Sequence, residues 1–167
     1  MSNPAALRGC RGGCKAHETI CHVLQACPIS HDSRVVRHNN IAAKIAAHCT
    51  KRGWSTLEEP HVRHPDGTLY KPDVVTFPSP NTAIICDVQI SWETSEPMKS
   101  IWDRKRVVYD NAKFLEAAQK KWPDVALTFL PCIIGARGSW PACNKPLEDA
   151  LNIKLPFRRG CIASVLK

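Results

Sequence analysis

The sequence predicts a mixed α/β domain, one central sheet with helices packed against it, preceded by a small metal-stapled appendage. Three observations carry that expectation. Short runs of β-branched residues alternate with longer segments whose apolar residues recur every three or four positions. Two of the strand-like runs, within residues 69–90, are joined by a tight turn. Four of the nine cysteines, Cys10, Cys14, Cys21 and Cys27, crowd together near the N-terminus. At 167 residues the chain fits one domain of ordinary size with a small addition.

The appendage takes residues 8–32. The spacing of Cys10, Cys14, His22 and Cys27 supplies three sulfurs and one imidazole, the soft tetrahedral set that Zn²⁺ takes. Gly9, Gly12 and Gly13 bracket the first pair and allow the chain to turn tightly there. A segment this short has almost no core, so a structural metal would supply its folding free energy. Residues 18–24 read as a short helix that Pro28 stops. Cys21 in place of His22, and His31 in place of Cys27, remain alternative ligands, and a set of free thiols is the plain alternative. Met1 to Leu7 reads as no secretion signal. With an odd number of cysteines, reduced thiols are expected rather than a disulfide framework.

The α/β domain is placed at 33–160, with 161–167 as a tail. Asp32 or Ser33 caps a helix running from Arg34 to Arg52, closed by Gly53. Val35, His38, Ile41, Ile45 and Cys49 form its apolar stripe; His38 and His48 are read as packing or capping residues. Arg34 and Arg37 lie on its other face, a candidate contact for nucleic acid; a solvated basic face is the plain reading. His64-Pro65-Asp66-Gly67 is a strong turn, so 61–63 and 68–70 form a hairpin. Arg63 and Lys71 on it are further candidate nucleic-acid contacts. Glu58 or Glu59 precedes it as a possible extra acidic group, with Glu59 the chosen candidate.

The hairpin feeds the stretch around which the chain is organised. Residues 69–77 and 83–90 are two adjacent strands flanking Pro78-Ser79-Pro80-Asn81, and each carries one aspartate in apolar surroundings, Asp73 and Asp87. A buried carboxylate is expensive unless something positive compensates it. Two carboxylates at neighbouring strand ends suit Mg²⁺ or Mn²⁺ through oxygen ligands; a strand-start aspartate and an arginine-paired aspartate are the plain alternatives. Gln89 lies two residues beyond Asp87 on the same strand face.

A long helix is expected over about 97–121, entered at Pro97, with Met98, Ile101, Val108, Ala112, Leu115 and Ala118 as its apolar stripe. Lys105 falls inside that stripe. Either its stem covers apolar surface, or its ammonium reaches the carboxylates of the sheet. Tyr109 is placed to hydrogen-bond a phosphate, and Arg104 to contact nucleic acid. Residues 124–134 form one long strand or a strand pair, with Pro131 marking a bulge or an edge. Arg137 and Trp140 sit in a basic-aromatic loop, and 144–152 form a short helix. Cys132, Cys143 and Cys161 lack ligand spacing.

The formal charge of +8, from 23 basic against 15 acidic residues, favours a polyanionic partner. No apolar run is long enough to cross a membrane, so no membrane partner is expected. No phosphate-cradling glycine loop and no serine–histidine–aspartate set is present.

Pro72-Asp73, then Asp87-x-Gln89, then Lys105 resembles the restriction-type nuclease pattern of Pro-Asp followed by Asp/Glu-x-Lys. More narrowly, residues 8–160 resemble the C-terminal region of site-specific non-LTR retrotransposon polyproteins, the type that inserts into ribosomal DNA. Cys10, Cys14, His22 and Cys27 match that family's zinc knuckle, residues 18–28 and Arg37-His38-Asn39 match its surroundings, and Lys71-Pro72-Asp73 with Asp87 match its acidic motifs. The family is similar in moving the catalytic lysine to a following helix, in a Lys-x-x-Lys-Tyr run; Lys105 and Tyr109 stand in that run, with Val108 at its second lysine. The resemblance implies a restriction-endonuclease-like fold and an Mg²⁺-dependent DNA endonuclease. It also implies a nick whose 3′-hydroxyl primes reverse transcription, in the nucleus, beside a reverse transcriptase module of the same polypeptide. Double-stranded target DNA is the implied partner, with element RNA a second. The competing expectation is a catalytically weak or inactive DNA- or RNA-binding module.

Overall fold

A computed structural model describes residues 8–93 and 96–166; the expectation for residues 1–7 lies outside them. The central sheet has the order β1 (Ser55–Glu58), β4 (Val74–Ser79), β5 (Thr82–Cys86), β7 (Ala126–Phe129). The first three pair antiparallel, and β5 and β7 are parallel. β2 (Val62–Arg63) and β3 (Leu69–Tyr70) form the expected hairpin, with Gly67 at φ 93° in its turn.

Each of the two long apolar runs is broken once, and the breaks face each other. The run after Thr82 resumes as β6 (Val88–Ser91), and the run after Ala126 resumes as β8 (Cys132–Gly135), parallel to β6. The register carries straight across: Ile85 pairs with Phe129 and Val88 with Cys132, which sets Asp87 opposite Pro131. Pro131 has no N–H to give a ladder, and the Val88 N–H goes to the Asp73 carboxylate at 2.6 Å instead.

Alternation along the strands sends neighbours to opposite faces. Val74, Ile84 and Cys86 meet Ile41, Ile45 and Cys49 of α1 (His31–Thr50), with Leu147 and Leu151 of α4 (Lys145–Leu151) and Cys161 and Val165 of α5 (Leu155–Val165). Val75 and Ile85 meet Tyr109 at the end of α2 (Met98–Tyr109) and Phe114, Ala117 and Ala118 of α3 (Ala112–Lys121). The result is a three-layer α/β sandwich. Residues 161–165, read from sequence as tail, are the end of α5, where Cys161, Ser164 and Val165 are buried.

The single helix expected over 97–121 is two. Asn111 separates them because it caps both: its side-chain oxygen accepts the Phe114 N–H at 3.0 Å and its amide donates to the Val108 carbonyl at 2.7 Å. The break rotates the stripe. Phe114 and Ala117 are buried, whereas Val108 and Leu115, expected inward, are exposed.

Asn144 fastens β8 to the turn before α4. Its amide donates to the Ile133 carbonyl at 2.6 Å and its oxygen accepts the Ile133 N–H at 2.9 Å, with no exposure. Asn144→Ala strands both backbone groups in the core and should cost about 3 kcal/mol in a urea titration; a loss below about 0.5 kcal/mol would mean the turn re-pairs.

The β2–β3 hairpin is tied to α3 by charge. His64 Nδ1 lies 2.8 Å from Asp66 and Nε2 lies 3.2 Å from Glu116, and Lys113 reaches Asp66 at 2.6 Å. Hydrogen bonds to Asp66, then to Glu116, hold the His64 pKa above its ordinary value. A raised histidine pKa stabilises below the unfolded value, and that contribution is lost as pH rises through the folded one. The melting temperature should therefore fall as pH rises above the ordinary histidine range, and His64→Asn should flatten that part of the profile. An unchanged slope in the variant would assign the pH dependence elsewhere.

Candidate active site and metal-ligand cluster

Antiparallel pairing of Val74 with Cys86 puts Asp73 and Asp87, one residue outward on each strand, across from each other. Their side chains are 12% and 8% exposed. Asp73 Oδ2 takes the Val88 N–H and lies 3.3 Å from His38 Nε2. Asp87 Oδ2 is bonded by the Lys105 ammonium from α2, and its Oδ1 accepts the Tyr109 hydroxyl at 3.1 Å. Burial, then the charge of Asp73, pushes the Asp87 pKa up against the pull of Lys105 and Tyr109. Two carboxylates with oxygens at one strand end form a donor set that suits a hard divalent cation.

Lys105 reaches here because the start of α2 packs on β8 through Ile101 and Ile133. Tyr109 points inward rather than toward solvent. It is 6% exposed and packs against Phe114 and Phe129, so it positions Asp87 and is not placed to meet a phosphate. Glu59 donates its backbone N–H to the Asp73 carbonyl at 2.9 Å, but its side chain is exposed.

His38 is the site residue that sequence reasoning passed over. Its Nε2 lies 3.1 Å from the Val88 carbonyl as well as near Asp73, which makes it the N–H donor to both. The bond to Asp73 outweighs burial and pushes its pKa up to about 9. The signal was present: a histidine one turn before Ile41 and two before Ile45 on the stripe that faces the sheet, where a polar group needs a partner.

The six basic candidates are dispersed. Arg37, expected at the surface, is 8% exposed; its guanidinium donates to the Leu24 carbonyl at 3.0 Å and faces the Val165 carbonyl at 3.5 Å, so it braces the appendage and α5 against α1. Arg34 is half-buried and donates to the Cys27 carbonyl at 2.6 Å. Arg104 is paired with Glu96 through both terminal nitrogens. Arg137 is held by Glu93 and lies 4.9 Å over the Trp92 ring. Arg63 and Lys71 are exposed on the hairpin leading to Asp73.

In the appendage, ligand atoms of Cys10, Cys14, His22 and Cys27 all lie within 4.8 Å of one another. Cys10 Sγ and Cys27 Sγ are 3.7 Å apart, against about 3.8 Å for the edge of a tetrahedron of zinc–sulfur bonds. Cys14 Sγ and His22 Nε2 are 3.1 Å apart. The alternatives Cys21 and His31 are outside the cluster. His22 arrives on a π-helical turn, His22–Ala26, and Cys27 follows it directly. The donor set and spacing are compatible with zinc. Among the described residues no helix is long and apolar enough to cross a membrane.

No protein-family model matches the chain. Over 160 residues, 96% of its length, it is 49% identical to the retrovirus-related Pol polyprotein from the type-1 retrotransposable element R2 of Popillia japonica. A further R2 Pol polyprotein from that organism is 39% identical over 98% of the chain. The Pol polyprotein from the type-2 element R2DM of Drosophila melanogaster is 31% identical over 80%. The chain spans 26%, 37% and 12% of the lengths of these three proteins.

Proposed function

We infer that this chain, a homologue of R2 retrotransposon Pol polyproteins, is a restriction-like, divalent-metal-dependent DNA endonuclease carrying a zinc knuckle. In this reading it nicks target DNA in the nucleus and leaves a 3′-hydroxyl for a reverse transcriptase module of the same polypeptide. The observation that carries the reading is the buried Asp73–Asp87 pair with Lys105 delivered onto Asp87 from a helix. A plain structural ion pair would not need a second carboxylate beside it.

The reaction is hydrolysis of a phosphodiester: water oxygen bonds to phosphorus, the bond to the 3′ oxygen breaks, and that oxygen takes a proton. Mg²⁺ or Mn²⁺, when bound, supplies charge that polarises the phosphate and lowers the pKa of the attacking water. Asp73 and Asp87 would hold the cation. Tyr109 holds one oxygen of Asp87 and His38 holds Asp73, which orients the two carboxylates. The Lys105 ammonium, 29% exposed at its side chain, stabilises negative charge growing on the non-bridging phosphate oxygens. Arg63 and Lys71, with Arg34 at the mouth of the site, attract the phosphate backbone; the resulting affinity falls steeply with salt. Element RNA is a second polyanion for the same surface.

A second reading, a DNA- or RNA-binding module with weak catalysis, draws on the exposed Glu59 side chain, which leaves two carboxylates rather than three near the site. Nicking of supercoiled plasmid by zinc-loaded protein separates the two. Mg²⁺- or Mn²⁺-dependent nicking by wild type, reduced about 10²- to 10³-fold in Lys105→Ala, supports the nuclease. Salt-sensitive binding with no nicking at any divalent-metal concentration selects the binding module.

A further inference from the structure

The neighbouring helices α1 and α5 carry charge of one sign. From Ser33 to Leu57 the chain holds no acidic residue, and none follows Asp149. Lys44 on α1, Lys51 at its C-terminal cap and Arg159 on α5 are exposed, and among the described residues none of the three has a carboxylate partner. The acids just before α5 are already taken. Asp149 is held by Lys145 at 2.5 Å, and Glu148 by Arg158 at 3.1 Å and by the Trp140 indole N–H at 2.6 Å. Ordinary soluble surfaces intersperse both signs, whereas a field of one sign attracts a polyion.

Two of these cations line a groove. Lys44, Ala47, His48, Lys51, Phe157 and Gly160 bound a recess of about 220 Å³. A second, of about 400 Å³, shares Lys44 and Ala47 and adds Asn40, Ala43 and Ser164, so the two run together where α1 meets α5. Ala43, Ala47 and Gly160 leave the walls low. His48 donates from Nε2 to the Leu151 carbonyl at 2.8 Å, and its ring centroid lies 4.8 Å from that of Phe157. Lys44 and Lys51 stand two helical turns apart, about 10 Å, close to three steps of about 3.4 Å along a duplex strand. An acidic peptide would need sockets for its anchor side chains, and the groove offers one phenyl ring among small residues. The same helix delivers His38 to Asp73, so the groove is built on a rigid element of the candidate catalytic site but on another of its faces.

We propose that the α1–α5 groove is a second docking surface, for the phosphate backbone of duplex DNA, apart from the carboxylates and indifferent to base sequence. The duplex as partner rests on the nuclease reading, whereas affinity is read without cleavage.

The zinc-loaded chain is titrated into a fluorescein-labelled duplex of random sequence, without added Mg²⁺ or Mn²⁺, across a KCl series, and anisotropy is followed. Lys44→Gln with Lys51→Gln should weaken binding about tenfold at low salt and lower the slope of log affinity against log salt by about 2. Gly160→Glu is the second variant. A Cβ at Gly160 meets nothing within 4 Å, and glycine is a poor helix former, so the fold should hold or gain. The added carboxylate should weaken binding about threefold, and Gly160→Gln should stay within about twofold of wild type. An unchanged salt slope in the double variant, or equal weakening by Gly160→Glu and Gly160→Gln, overturns the proposal. So does a loss confined to a labelled RNA hairpin, which would assign the groove to RNA. Absence of plasmid nicking by wild type, with the slope change intact, would sink the nuclease reading and leave the groove standing. Active nicking with an unchanged slope would sink the groove alone.

Discussion

Asp87→Asn should lower metal-dependent nicking by at least about 10³-fold while leaving the fold intact or slightly firmer. The two halves of that expectation have one cause. Asp87 is buried beside Asp73, and burial and like charge together raise its pKa. An acid whose folded pKa is raised destabilises the fold above its unfolded pKa, and that cost disappears when the group is protonated at low pH. An amide removes the charge, so the cost disappears at neutral pH as well. The oxygen that accepts from Tyr109 is kept, and Lys105, partly exposed, can turn its ammonium to water. What is lost is the second negative oxygen donor for a divalent cation and the group that orients Lys105. The measurements are plasmid nicking across a Mg²⁺ series and thermal melting of both proteins. A variant that nicks like wild type would remove Asp87 from the chemistry. A melting temperature lower by more than about 10 °C would mean that the pair with Lys105 holds the fold together, and the nicking result would then say nothing about catalysis.

The hairpin that carries this pair was legible because every local signal agreed. β-branched runs, two prolines with a serine between them and an asparagine after, and one aspartate per run fix two antiparallel strands, and antiparallel register then places Asp73 across from Asp87. The ligand cluster of the appendage was legible for a similar reason: soft donors at short spacing beside glycines. Lys105 was visible as a cation on an apolar stripe, although the stripe itself was misdrawn. Asn111, which divides the helix, carries neither proline nor glycine beside it, and its capping role shows only once its side chain is seen bonding both ways. The break in both strands at Asp87 and Pro131 depends on a partner 44 residues away in register, which local pattern does not encode. Arg37 and Tyr109 were misplaced outward for the same kind of reason. Each has a polar tip satisfied by a distant element, a carbonyl of the appendage in one case and the Asp87 carboxylate in the other.

Arg37 makes the second large effect predictable, the response to zinc removal. Structural zinc sites contribute about 10–16 kcal/mol to the folding of such small segments. Among the described residues of the appendage only Cys10 and Cys27 are buried, so without the ion almost no apolar burial remains to hold the turn at His22–Ala26. Loosening that turn removes the Leu24 carbonyl from the Arg37 guanidinium and the Cys27 carbonyl from Arg34. Arg37 is then a buried cation short of one of its two acceptors, beside Arg34, which already lowers its pKa after burial does. The disturbance passes into α1 one residue before His38, and so to Asp73. Chelation by phenanthroline, or Cys14→Ser, should therefore expose residues 8–27 to limited proteolysis, lower the melting temperature and reduce nicking. The sheet should persist in far-ultraviolet circular dichroism, because the cores on its two faces are built from residues beyond 40. Colorimetric assay of the released metal should count one zinc per chain. A chelated protein with an unchanged proteolytic pattern and full nicking would show that the appendage folds without metal and that the Arg37 brace does not reach the carboxylates.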